Sequence, residues 1–262
     1  MNQEQNMGTM VELKAADGTT VPAYEARPAG TPRGAVVVIQ EIFGVNSHIR
    51  NVADGYAAEG YLAVAPACFH RVKPGIELGY SEADMGEGFG YKTAVEALPA
   101  PGVLQDIQAA IDHAARASGG KVGIVGYCWG GLLTWRSACL LQGLSAAAPY
   151  YGGGVTTPEE IARQPKVPVM AHFGDQDHWI PLEGVVVDLG RQPRSARPPR
   201  WGPSPRERTG PRLRCGPPRR SCQRSRPRRR RAQQRLHAEC RQSCHDRRRY
   251  HRSQRSLDRQ HD

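Results

Sequence analysis

The segment Gly126-Tyr127-Cys128-Trp129-Gly130-Gly131 joins a short apolar run at 121–125 to an apolar stretch that reads as a helix over 131–142. A strand handed to a helix through so few residues must bend sharply, and few folds contain such a bend. Side chains two places before and two places after Cys128 would collide in it, which accounts for glycine at both positions. The central residue is then held in a strained backbone conformation. The following helix sets its N-terminus beneath the sulfur, which favours the thiolate, and its first N–H groups can face a developing oxyanion. This is the pattern of a nucleophile turn with cysteine in the place of serine.

The flanking sequence supplies the sheet that such a turn needs. Residues 9–26 alternate around Asp17-Gly18 as a hairpin at a sheet edge does. The continuous apolar run 34–41 predicts a strand buried on both faces. Ile49, Val52, Ala53, Tyr56 and Ala57 mark one face of a helix ended by Gly60, and residues 61–66 make the next strand. A second helix covers 103–115 and stops at Gly119-Gly120. Residues 146–151 and 167–173 predict two further strands, and Thr157-x-x-Glu160 with Pro158 predicts a capping box on a short helix. Residues 68–101 show poor periodicity and read as an irregular excursion over the mouth of the sheet. The alternation implies an α/β fold with a doubly wound, mostly parallel sheet.

That rhythm stops after Val185. Up to there 12 basic residues face 19 acidic ones; the 77 residues from 186 to 262 carry 24 arginines, no lysine, six acids and nine prolines. The net charge of +11 therefore sums two dissimilar pieces and does not by itself indicate a nucleic-acid partner. The expected division is a body at 8–185 and an Arg/Pro-rich tail at 186–262. The tail lacks a recurring apolar face, and its composition predicts disorder. GC-rich coding DNA read out of frame yields such a composition, so a frameshift near 185–190 is the expected origin, leaving the domain without its last strand and helix. The alternative is a fusion whose basic run at 226–231 binds nucleic acid or other polyanions without sequence preference, or a non-catalytic binding module. Cys240, Cys244 and His245 form at most half a zinc site, and no metal is expected. With no leader-like N-terminus and no bilayer-length apolar stretch, a cytoplasmic protein without membrane association is expected.

A second chemistry-bearing segment, Phe173-Gly174-Asp175-Gln176-Asp177-His178, follows the strand at 167–173. Catalytic groups in open α/β sheets collect at that end of a strand. An acid serving a nucleophile–acid–histidine order belongs here, so Asp177 is the candidate, with Asp175 as a turn residue.

Three motifs together, Gln40-Glu41-Ile42-Phe43-Gly44-Val45-Asn46, the Cys128 turn, and Gly174–His178, resemble the dienelactone hydrolase (carboxymethylenebutenolidase) family of the α/β-hydrolase group, over about residues 8–185. The resemblance implies that Cys128 attacks a small lactone or ester, with Asp177 as the acid and no cofactor. It also implies that Glu41 contacts the resting thiol, and that the backbone N–H groups of Ile42 and Trp129 form the oxyanion hole. Two departures accompany it. The family's type enzyme holds its substrate's carboxylate through arginines, whereas residues 74–91 contain none. The family's histidine turn is absent. His172 falls inside a strand, His178 lies beside the acid, and His237, His245, His251 and His261 lie in the tail. No catalytic histidine is identifiable, so impaired turnover is expected.

Overall fold

The computed structural model describes residues 8–180. Six strands, β1 (Thr9–Lys14), β2 (Thr20–Ala26), β3 (Ala35–Ile39), β4 (Leu62–Pro66), β5 (Val122–Tyr127) and β6 (Leu144–Tyr150), form one sheet in the order β1-β2-β4-β3-β5-β6. The four strands β4, β3, β5 and β6 run parallel, and the β1–β2 hairpin adds antiparallel at one edge. The helices are α1 (Ser47–Ala58), α2 (Glu82–Glu96), α3 (Leu104–Ser118), α4 (Trp129–Leu140) and α5 (Pro158–Ile161). This is the α/β-hydrolase-like arrangement expected.

Period-two alternation along the strands builds a core on each face of the sheet. Val37 and Ile39 of β3 join Val64, Ile124, Ile107, Ile111 and Leu133 in the larger cluster, beneath α3 and α4. Val38, between them in sequence, joins Ala63, Ala65 and Val125 beneath Ile49, Ala53 and Ala57 of α1. Each fully buried aliphatic side chain of this kind contributes about 1.5–3 kcal/mol. Helix ends follow local chemistry. Asn46 caps α1 by accepting from the Ile49 N–H at 3.3 Å. Gly119 closes α3 in the left-handed conformation, at φ 61°.

Three expectations need correction. The excursion 68–101 is not irregular throughout, because it contains α2, opened by a capping box in which Ser81 and Asp84 satisfy each other's backbone N–H. The helix escaped the periodicity test because glycine occupies 86, 88 and 90 and only Gly88 and Val95 are buried. The capping box expected at Thr157 does not form. Glu160 is instead drawn to the guanidinium groups of Arg136, at 2.7 Å, and Arg163, at 2.9 Å. The strand expected at 167–173 is reduced to two parallel bridges to β6, at Val169 and His172. The other elements stand where expected, with ends shifted by a few residues.

The tail at 186–262, with its expected disorder, basic run, Cys240–Cys244–His245 half-site and four histidines, lies outside the described residues. The expected frameshift at 185–190 and the missing last strand and helix also lie outside them. No described helix is long and apolar enough to cross a membrane, and no group of three or more possible metal ligands occurs among the described residues.

Candidate active site

Because β3, β5 and β6 are parallel, the residues that follow them emerge along one edge of the sheet. Ile39 pairs with Gly126, and Gly126 with Pro149. Carrying that register two residues onward sets Glu41 opposite Cys128, with Tyr151 on the far side.

Cys128 sits at the head of α4 with φ 55° and ψ −121°, in the left-handed half of φ space that a residue with a side chain seldom adopts. The surrounding glycines show what enforces it. A Cβ on Gly126 would fall on the Gly130 carbonyl and the Thr134 hydroxyl. A Cβ on Gly130 would lie 2.7 Å from the Ile39 oxygen and closer still to that of Gln40. Gly131 presses against the Tyr150 carbonyl and lies by Gly152. The Cys128 N–H donates to the Tyr150 carbonyl at 3.1 Å, while the Cys128 carbonyl accepts from Gly131 at 2.9 Å as α4 begins. The turn is thus wedged between the ends of β3 and β6, and the strain at Cys128 is held by backbone packing on both sides.

Glu41 is 3% exposed. Its carboxylate accepts from the Tyr80 hydroxyl at 3.2 Å and the Tyr151 hydroxyl at 3.5 Å. Tyr80 comes from the excursion and Tyr151 from the end of β6, so the two phenols reach Glu41 from different parts of the fold. Tyr151 is the second non-glycine residue with positive φ among those described, at 38°. Its N–H donates to the His172 carbonyl at 2.7 Å. Neither tyrosine had a signal in the sequence, since both meet Glu41 only through tertiary packing.

The segment 40–46 that carries Glu41 and Ile42 is fixed by its neighbours. Gln40 accepts from the Cys68 N–H at 3.0 Å and donates to the Glu41 carbonyl at 3.2 Å, tying the ends of β3 and β4 together. Gly44, at φ 79°, lies where a Cβ would overlap the Ile76 carbonyl. Leu78 N–H donates to the Phe43 carbonyl at 2.8 Å and Asn46 to the Leu78 carbonyl at 3.0 Å. Gly88 of α2 rests on the Ile42 carbonyl. Trp129, whose backbone opens α4, is pinned by its side chain. Its indole stacks on Phe69 at 5.1 Å and donates to Glu96, the last residue of α2, at 3.0 Å. Sequence reasoning also missed this tie between α2 and the turn.

Asp177 follows the segment bridged to β6 and so lies at the same edge, but its described hydrogen bonds are local. Its Oδ1 accepts from the Trp179 N–H at 3.0 Å, and its own N–H donates to Gly174 at 3.4 Å. His172 is bound to β6 through its backbone and stacks on Tyr150 at 4.2 Å. Burial lowers its pKa, which favours a neutral imidazole. Burial also pushes the Cys139 thiol up to about 11 and raises that of Cys68. Both are therefore thiols, with little nucleophilic character, at neutral pH.

Residues 21–189 match the model of the dienelactone hydrolase family. An Escherichia coli K12 protein provisionally named carboxymethylenebutenolidase is 36% identical over 186 residues, 65% of this chain. This chain spans about 65% of the length of that relative. The Pseudomonas putida carboxymethylenebutenolidase is 35% identical over 173 residues, covering 65% of this chain and 72% of its own. Among solved structures, a provisionally assigned dienelactone hydrolase from Klebsiella pneumoniae superposes with a TM-score of 0.57 at 32% identity, covering 70% of this chain and 78% of that one.

Proposed function

Since the chain belongs to the dienelactone hydrolase family, we propose that its body, residues 8–185, opens a small lactone or ester through an acyl thioester on Cys128. The observation that carries this reading is the backbone of Cys128 itself, at φ 55° between glycines whose Cβ positions are already filled. Strain of that kind costs of order 1–3 kcal/mol and persists where the surroundings over-determine it. In the acylation step the Cys128 sulfur bonds to the carbonyl carbon, the carbon–oxygen bond to the leaving alkoxide breaks with its electron pair, and the thiol proton passes to solvent or a base. The N–H groups of Ile42 and Trp129 receive the developing oxyanion, and Asp177 is the acid of the triad. Glu41, a carboxylate beside the thiol, disfavours the thiolate by like charge until substrate displaces it. Neither metal nor organic cofactor enters a thioester route.

The family's histidine turn has no counterpart in the sequence, and this reading leaves the third place of the triad without a histidine. Loss of one triad member typically costs several orders of magnitude in rate, and hydrolysis of the thioester needs an activated water. Acylation without efficient turnover is the expected behaviour of this chain. Incubation of the full chain with 4-nitrophenyl butyrate at pH 8 should release a burst of about one equivalent of 4-nitrophenolate per chain, then a slow phase. Intact mass and peptide mapping should place the butyryl group on Cys128. A label found mainly on Cys68 or Cys139 would falsify the assignment.

A further inference from the structure

We infer that this site selects uncharged acyl groups, a neutral ester or lactone, over carboxylate-bearing ones; the inference rests on the Cys128 reading and names its substrate class. It begins with charge along the active edge. Residues 40–101, which carry the segment after β3, α1, the segment after β4 and the excursion, hold four cations against eight acids. Each of the four is held by an acid. Arg50 meets Glu77 at 2.6 Å. Arg71 meets Asp106 at 2.6 Å and Asp17 at 2.7 Å. Lys73 lies 3.9 Å from Glu87 and donates to the Tyr91 hydroxyl at 2.9 Å. Lys92 meets Glu96 at 3.0 Å. An anionic substrate would have to break one of these pairs to gain a cation from them.

Aromatic rings cluster about Glu41 and the segment that carries it. Tyr80 and Tyr151 donate to Glu41. Phe43 lies 4.6 Å from Tyr80 between ring centroids, and His48 6.5 Å from Tyr80. His48 also lies 6.4 Å from Tyr127, which in turn lies 6.3 Å from Tyr151. These rings offer an incoming group apolar faces, while the buried carboxylate of Glu41 repels a second negative charge. Cys128 is only partly buried, so added salt screens this repulsion.

Two size-matched probe pairs test this on the full chain at pH 8. The first pair is iodoacetamide and iodoacetate, which alkylate Cys128 whether or not the protein is a catalyst. Rates mapped to Cys128 are divided by those of glutathione with the same reagents. The expected preference for iodoacetamide is at least about tenfold beyond that of glutathione, shrinking severalfold in 0.5 M salt and on Glu41→Gln. The salt series on the unaltered chain carries the test should that variant fail to fold. The second pair is 4-nitrophenyl butyrate and 4-nitrophenyl hemisuccinate, read as burst rates, with the butyryl ester again faster by about tenfold or more. Iodoacetate or hemisuccinate reacting as fast as its neutral partner, after normalisation, overturns the inference. Strong discrimination by the alkylating pair with neither ester acylating Cys128 supports the electrostatic selection and defeats the hydrolase reading instead.

Discussion

Replacing Arg71 by leucine removes the cation that holds the most deeply buried acid among the described residues. Asp106 is 0% exposed, and Arg71 grips it through Nε at 2.8 Å and Nη2 at 2.6 Å. Breaking a buried pair from one side strands the other charge, and such changes cost about 3–5 kcal/mol. For a domain of this size that corresponds to a fall of about 6–20 °C in Tm. The reverse change, Asp106→Asn, should cost less, about 2 kcal/mol. It leaves Arg71 with 14% of its side chain exposed to water and with Asp17 still in contact. The two variants also differ in pH dependence. Burial already raises Asp106 above the ordinary carboxylate value, and Arg71 opposes that rise. Without Arg71 the folded-state pKa climbs further above the unfolded value of about 3.9. A group raised in this way favours the fold fully below its unfolded pKa and ceases to do so as pH rises through its folded pKa. Asp17, which Arg71 holds well below the usual carboxylate range, acts in the same sense, because its stabilisation is present above its unfolded pKa and lost in acid. The deficit of Arg71→Leu should therefore be smallest near pH 4 and grow toward pH 7.5. Urea unfolding of parent and both variants at four pH values reads it. A deficit under about 1 kcal/mol, one independent of pH, or an Asp106→Asn variant as unstable as Arg71→Leu would refute the reasoning.

Gly130→Ala should lose about 2–3 kcal/mol of stability by overpacking against the Ile39 and Gln40 carbonyls. It should also slow Cys128 alkylation severalfold, which thermal melts and iodoacetamide kinetics would show. Ser81→Ala removes the capping box of α2, and amide exchange across 82–96 should quicken about fivefold with α3 and α4 unchanged. In the parent, Ser81 lowers the Asp84 pKa. The same capping contribution is therefore present above the unfolded pKa and is lost as pH falls below it through the folded pKa, and α2 exchange compared at pH 3 and pH 6 checks this.

The elements that define the fold were readable where one physical rule acted alone. The run at 34–41 is apolar because β3 is covered on both faces, and the glycines at 126 and 130 are required by backbone collisions that a spacing argument anticipates. Cys128 was singled out from its glycine-flanked place after a strand, and Glu41 only through the family resemblance; parallel strands deliver both to one edge. What was missed depends on competition or on distance. α2 carries too little buried apolar surface for periodicity to reveal it, although Ser81-x-x-Asp84 marked its start. The Thr157–Glu160 box was a sound local pattern that lost to two guanidinium groups, one of them on another helix. Tyr80, Tyr151 and Glu96 carry no signature at all, because their roles exist only once α2 and β6 are packed beside the turn.

The contact of Trp129 with Glu96, together with the seats of Gly44 under Ile76 and Gly88 on Ile42, bears on how this region can be exchanged between relatives. A transplant confined to residues 68–101 would arrive with a helix face shaped for another host's segment after β3 and with its last residue matched to another host's indole. The transferable unit is discontinuous. It comprises residues 40–46, the excursion through 96, and the residue directly after the nucleophile, so recombination points within β3 and ahead of α3 respect it only when the residue after the nucleophile is exchanged along with them. Chimeras cut at those points should keep their fold more often than chimeras cut at the visible ends of the loop, and a substrate preference written on α2 would travel only with its foundations.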